Sequence, residues 1–266
     1  MTFLFPRICL CFENSSATKV WFTGLISLFL LCATAKAEDK DLKWNITLET
    51  GPVWQSRNDV QIPGDTGTRF SLADFAGSGP FPYYRLELTY AINARHSLRF
   101  LIAPLEYSET GTFNNDVFFV DQTFDAGVPT EASYRFDSYR ATYRYRFYDS
   151  ESWRWLVGVT AKIRDAEITL KQTGKFSSDS NTGVVPLLNL YGEYRPAARW
   201  RFVFDFDGLA SAQGRALDLA LLARYDLSRQ WFIGGGYRTL EGGADNSDVY
   251  NFSWFNYLVL SAGYRF

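Results

Sequence analysis

The sequence predicts an all-β chain closed into one antiparallel barrel, and three observations predict it. Apolar and polar residues alternate with period two in segment after segment. Ten such segments follow one another from about residue 44 to the end, with no helical spacing between them. The connections alternate strictly between tight and long, so every strand reverses direction and each class of connection gathers at one end.

A leader of different character precedes the segments. Arg7 and Lys19 come before the apolar stretch 20–35, which closes on Ala35-Lys36-Ala37. A basic start, an apolar middle and small residues at the cleavage site predict a secretory signal peptide over 1–37, cut before Glu38, with the barrel over 38–266. An N-terminal membrane anchor is the alternative the apolar run allows. Leu31 is not the small residue that a lipid-attachment site at Cys32 would need. Cys9, Cys11 and Cys32 all fall in the leader, so the exported remainder has no disulfide to hold it. That remainder carries 24 Lys and Arg against 28 Asp and Glu, a balance that gives no reason to expect nucleic-acid binding.

The segments run at about 44–57, 82–92, 97–112, 132–148, 153–171, 183–195, 199–208, 215–226, 230–241 and 249–266. In the second, Tyr84, Leu86, Leu88, Tyr90 and Ile92 share a face opposite Arg85, Glu87 and Thr89. The fourth sets Tyr139, Ala141, Tyr143, Tyr145 and Phe147 against Arg140, Arg144 and Arg146. The seventh sets Trp200, Phe202, Phe204 and Phe206 against Arg201, Val203 and Asp205. The last places Leu258, Leu260, Ala262, Tyr264 and Phe266 opposite Ser261, Gly263 and Arg265. Tight connections fall at 93–97, 149–152, 195–199 and 226–230. The other class, at 58–81, 113–131, 172–182, 209–214 and 242–248, is rich in Gly, Asp, Asn, Ser and Thr. Eight or twelve strands also fit, because 209–214 is the shortest of its class.

Aromatic residues make up 18% of the chain, yet its mean hydropathy is −0.17. A soluble sandwich would have to bury most of those rings in one core. In hydrocarbon the same pattern needs no such core: closure removes the sheet edges, the apolar faces meet lipid and the polar faces line the interior. Trp153, Trp155, Trp200 and Trp231 each follow a tight turn, where amphipathic rings suit the headgroup level. Over residues 43–266 the pattern resembles the small monomeric β-barrels of the bacterial outer membrane. The ending "SAGYRF", with Tyr264 and Phe266, resembles the signal by which such barrels are recognised for assembly. The resemblance implies an outer-membrane location, short periplasmic turns, long extracellular loops and a monomer. It also implies contact with outer-membrane lipid and lipopolysaccharide, and the barrel assembly machinery as a partner.

The interior face then carries Glu49, Arg85, Glu87, Arg99, Arg140, Arg144, Arg146, Lys162, Arg164, Glu193, Asp205, Asp207, Asp218, Arg224 and Arg238. Two readings stand. Opposite charges in a narrow interior pair into a plug, or a basic wall lines a thin anion channel. Gly158, Gly234 and Gly236 either leave open space or make room for Arg stems. Some outer-membrane barrels are proteases or lipid hydrolases that rely on a positioned base, usually His. The one histidine, His96, sits in a tight turn, and the acids Asp65, Asp74, Asp116, Asp121 and Asp125 are those of ordinary solvated loops. The loop 241–248 lacks the spacing of a calcium loop, so no metal or cofactor is expected. Phe70, Leu72 and Phe75 of the first long loop, with Phe118, Phe119 and Phe124 of the next, suggest loops that pack together or form a recognition surface. The functional expectation is a non-enzymatic structural or surface-interaction barrel. A narrow channel for small, anionic solutes is the alternative, and a barrel enzyme acting on lipid or peptide the third reading.

Overall fold

The computed structural model of the chain describes residues 42–211 and 214–266, and the expected leader, 1–37, lies outside them. In chain order the elements are β1 (Trp44–Gln61), β2 (Phe70–Ser71), α1 (Leu72–Ala76), β3 (Phe81–Ala91), β4 (His96–Ala103), β5 (Glu106–Gly111), β6 (Val117–Phe119) and β7 (Gln122–Phe124). The remainder are β8 (Thr130–Asp149), β9 (Trp153–Gln172), β10 (Lys175–Ala197), β11 (Trp200–Ser211), β12 (Gly214–Asp226), β13 (Trp231–Asp245) and β14 (Tyr250–Arg265). Strands β1, β3, β4, β8 and β9 to β14 each pair antiparallel with their neighbours. β14 returns to pair with β1 from Asn45↔Arg265 to Gln61↔Tyr250, which closes a ten-stranded barrel among the described residues.

Side chains close the tight turns. Asn93 Oδ1 accepts from the backbone N–H of Arg95 and His96, at 2.9 and 3.0 Å. Ser150 Oγ accepts from Trp153 N–H at 3.0 Å, and Ser228 Oγ accepts from Trp231 N–H at 3.0 Å. Such local bonds let Asn and Ser replace a backbone turn. Just beyond the turns, rings stand opposite one another on paired strands: Trp44 with Tyr90, Trp153 with Tyr194, Trp200 with Tyr225 and Trp231 with Tyr264. Their centroids lie 4.4 to 5.1 Å apart, a girdle that ties neighbouring strands together. From that girdle an apolar belt rises along the outer surface, carried on β9 by Val157, Val159 and Ile163 and on β14 by Leu258 and Leu260. Along β9 it spans the eleven residues 153–163, the length a tilted strand needs to cross a bilayer.

The interior changes character along the axis. Its middle is charged, whereas at the loop end Val53, Tyr83, Tyr134, Phe255 and Tyr257 form an apolar core. The long loops continue that core. Phe75 stacks on Phe113 at 4.5 Å, and Phe70 meets Phe113 and Phe119 edge-on. Thr68 N–H bonds Phe118 O and Val120 N–H bonds Ile62 O, both at 2.9 Å, so the first two long loops fold together. Gln55, buried beneath them, donates to Gly77 O at 2.6 Å and accepts from Tyr107 Oη at 2.6 Å.

Three details differ from the sequence expectation. The connection 172–182 is a two-residue turn at Thr173-Gly174, with Gly174 at φ 76°, and β10 begins already at Lys175. The residues 175–182 lie beyond the apolar belt, where neither face of the ribbon must be greasy, so alternation fails as a signal there. The segment 97–112 breaks at Pro104-Leu105 into β4 and β5, although both pair with β8. The first long loop contains the short helix α1, whose N-cap Ser71 accepts from Asp74 N–H at 3.2 Å.

Candidate functional site: the charged interior

Lumen-facing positions alternate along each strand, so charges two residues apart stack on one wall. β3, β4 and β8 bring Arg85, Arg99, Arg140 and Arg144 to one side, and β11 and β12 bring Asp205, Asp207 and Asp218 to the other. β1 adds Glu49 and β13 adds Arg238. All nine are buried. Asp207 and Asp218 stand directly opposite on neighbouring strands, an arrangement of like charges that is ordinarily destabilising. Arginines offset it. Arg140 spans both, with Nη1 2.9 Å from Asp207 and Nη2 2.8 Å from Asp218. Asp218 also meets Arg238 at 2.6 Å and Arg85 at 3.2 Å. Arg99 reaches Asp205 at 2.9 Å and Asp207, and Arg144 reaches Asp205 at 2.8 Å. Arg238 and Arg85 hold Glu49 at 3.0 and 3.6 Å. The flat guanidinium fork suits such bridging, where an ammonium would act as a point charge.

Neutral side chains complete the network. Thr160 Oγ1 donates to Asp207 at 2.8 Å, and Asn189 Nδ2 donates to Asp205 at 3.1 Å and Asp207 at 2.9 Å. Thr142 Oγ1 accepts from Arg99 at 2.8 Å, and Ser138 Oγ accepts from Arg140 Nε at 3.1 Å. None of these four residues stands out in the sequence. Their signal was position alone: Ser138 and Thr142 flank Arg140 on its own face.

The other interior residues singled out in the sequence lie apart from this network. Near the tight-turn end Arg146 pairs with Asp149 at 2.6 Å, and Glu193 pairs with Arg195 at 2.6 Å. Arg224 lies over the Phe232 ring at 5.3 Å, and Glu87 accepts from Thr89 at 3.4 Å. Toward the loop end Arg164 bonds Asn181, while Lys162 lies 4.9 Å above the Phe136 ring. There the network floors a cavity of about 430 Å³ lined by Arg140, Lys162, Leu187, Asp207, Leu209 and Asp218, among others. The interior glycines allow close approach of neighbouring strands. A Cβ at Gly158 would collide with Tyr143 O and stand 3.2 Å from Arg144 Cγ. One at Gly234 would stand 2.8 Å from Ser261 Oγ and 3.0 Å from Arg224 Cγ, and one at Gly236 would collide with Leu221 O.

The remaining candidates hold structure together. His96 Nδ1 lies 2.6 Å from Tyr143 Oη at the tight-turn end. Asp116 accepts from Ala126 N–H, Asp121 from Ser177 Oγ, and Asp125 pairs with Lys175. In the loop 241–248, Asn246 Oδ1 accepts from Asp248 and Val249 N–H, while Glu241 pairs with Arg215. Tyr264 is buried against Trp231 and Phe266, and Phe266 stacks at 6.4 Å on Trp44, the residue with which it exchanges backbone hydrogen bonds.

An apolar belt outside, buried charge inside and no open sheet edge at the closure reverse the polarity of a soluble fold, as a lipid environment requires. Solved structures of outer-membrane proteins are similar to it to different degrees. The outer membrane protease OmpT of Escherichia coli matches with a TM-score of 0.51 at 8% identity, covering 88% of this chain and 100% of that one. The attachment invasion locus protein Ail of Yersinia pestis, solved with the heparin analogue sucrose octasulfate, matches with a TM-score of 0.40 at 12% identity, covering 84% and 99%. The translocator domain of the autotransporter NalP from Neisseria meningitidis matches with a TM-score of 0.39 at 8% identity, covering 94% and 98%. At 8% identity the likeness to OmpT is one of fold. No protein-family model matches the chain, and no curated protein does. The chain has the fold and the inverted polarity of an integral membrane β-barrel of the bacterial outer-membrane kind.

Proposed function

We propose that the barrel is non-enzymatic and closed to ions, and serves as a membrane-embedded scaffold for the folded cap at its extracellular end. The observation that supports this reading is the charge network, which joins walls on opposite sides of the barrel through Arg99 and Arg140. A path for solute would have to break those pairs, and separating a buried ion pair costs about 3–5 kcal/mol. The cap suits a surface role because its two long loops pack into one body through Phe70, Phe75 and Phe113. At its rim the half-exposed Arg69 pairs with Asp59 at 3.3 Å and lies 3.9 Å over the Tyr250 ring, with its outer edge toward the phosphate groups of surrounding lipopolysaccharide.

Current across planar bilayers containing the purified protein tests the reading. The expected trace stays at baseline at every voltage short of membrane rupture. Discrete, anion-selective steps would replace the scaffold with a channel. Hydrolysis of lipid A or of a peptide library, lost on changing a single extracellular Asp, would replace it with an enzyme.

A further inference from the structure

One stretch of the barrel wall is unpaired. β10 pairs with β9 without a break from Lys175 to Tyr194. Its pairing with β11 ends at Leu188↔Gly208, although β11 runs on to Ser211 and stays paired there with β12. Among the described residues the ladder is therefore missing between 185–187 and 209–211. This seam begins within the apolar belt, since Leu188 and Val184 are 58% and 73% exposed on the outer face and Val184 is paired with Ile163. Hydrocarbon leaves an open sheet edge unsatisfied. Pro186 sits at this edge and has no N–H to leave unpaired, a placement typical of edge strands.

The interior cavity lies directly behind the seam, with lining residues from both of its sides, Val185 and Leu187 on β10 and Leu209 and Ser211 on β11. Its volume is in the range of small-molecule sites. Lys162 lines it too. That side chain is only 4% exposed, and among the described residues it has neither a carboxylate partner nor a hydrogen bond. With no such partner of its own, Lys162 leaves its amino group free to meet an anion that enters the cavity. The opening toward lipid and the leucine walls call for an alkyl chain.

We propose that this cavity binds a single-chain amphipathic anion, which enters from the outer leaflet through the β10–β11 seam and sets its anionic head on Lys162. The alkyl chain lies between Leu187 and Leu209 and fills the gap in the wall. The charged floor stops it from passing further, so this is a binding site and not a route across the membrane. The proposal is independent of the scaffold reading: a silent barrel that binds nothing and a conducting barrel that binds an anion are distinct results.

Equilibrium binding of radiolabelled decanoate to the full barrel in phosphatidylcholine nanodiscs tests it, with decyltrimethylammonium as the cationic control. Saturable, stoichiometric decanoate binding is expected, with no competition from the ammonium. Lys162→Met should weaken it about tenfold or more, and Lys162→Arg should retain it. No saturable binding, competition by the cation, or full affinity in Lys162→Met would overturn the site. Entry is tested separately by joining Pro186→Cys to Ala210→Cys, the next outward-facing positions past Leu188 and Gly208. Oxidation should slow decanoate uptake from the bilayer about tenfold, and reduction should restore it. An unchanged rate would overturn entry through the seam.

Discussion

Replacing Asp218 by Asn removes one negative charge and almost no volume from the centre of the network. Asp218 is 3% exposed and faces Arg238 at 2.6 Å, Arg140 at 2.8 Å and Arg85 at 3.2 Å. In the variant these three guanidiniums lose their shared counter-charge. Removing one partner of a buried pair costs about 3–5 kcal/mol. Arg140 keeps Asp207, and Arg85 and Arg238 keep Glu49, so the lower end of that range, about 3 kcal/mol, is expected. Equilibrium unfolding in guanidinium chloride, followed by tryptophan fluorescence and by heat-modifiable migration on gels, reads the change. Asp149→Asn is the internal comparison, because Asp149 pairs with Arg146 and Arg154 in an exposed turn where the loss should stay below about 1 kcal/mol. If Asp218→Asn cost no more than Asp149→Asn, water would be screening the interior and the plug argument would fail.

Further expectations concern the same wall, the cap and the tight turns. Gly158→Leu drives a side chain against Tyr143 O and the Arg144 stem and should lower stability by about 1–3 kcal/mol or more in the same unfolding assay. Gln55→Ala frees the bonds that Gln55 makes to Gly77 O and Tyr107 Oη. Tryptic cleavage after Arg69 in intact cells should then speed up while the barrel stays resistant. Burial raises the Asp149 carboxyl, but Arg154 and Arg146 outweigh it and hold the group below its ordinary value of 3.8. A depressed carboxylate stabilises the fold above its unfolded pKa and loses that contribution as pH falls through its folded one. The margin between wild type and Asp149→Asn should accordingly shrink as pH drops below about 4, as unfolding midpoints measured across that range will report.

Alternation was enough to read the barrel because lipid and lumen impose opposite demands on successive residues. The pattern at 153–163 carries Trp153, Val157, Val159 and Ile163 outward, and that stretch crosses the belt as expected. It failed where the environment stops discriminating. Residues 175–182 form a ribbon with β9 beyond the belt, and "SSDSNT" there looks like a loop because neither face meets lipid and Ser177 bonds the loop residue Asp121. Aromatic content misled in a different way: Tyr83, Tyr107, Tyr134 and Phe255 point inward and build the apolar core at the loop end, beside rings that face lipid. Interior charges were legible one residue at a time from their parity, but their pairing was not. Arg99 and Asp207 are 108 residues apart and meet only because β4 and β11 lie across the barrel from one another. The cavity and the seam had no sequence signal beyond Pro186, whose meaning depends on which strand β10 fails to reach.

Thiol accessibility tests the closed interior most directly, because the three native cysteines, at 9, 11 and 32, all lie in the predicted leader. Single cysteines are placed at Leu209, in the outer cavity, and at Asn45, which pairs with Arg265 beside the tight-turn end. Intact cells are then treated with a membrane-impermeant thiol reagent. Labelling at 209 should be rapid, with none at 45 until the envelope is opened. Comparable labelling of both from outside would mean that the arginine network does not close the barrel.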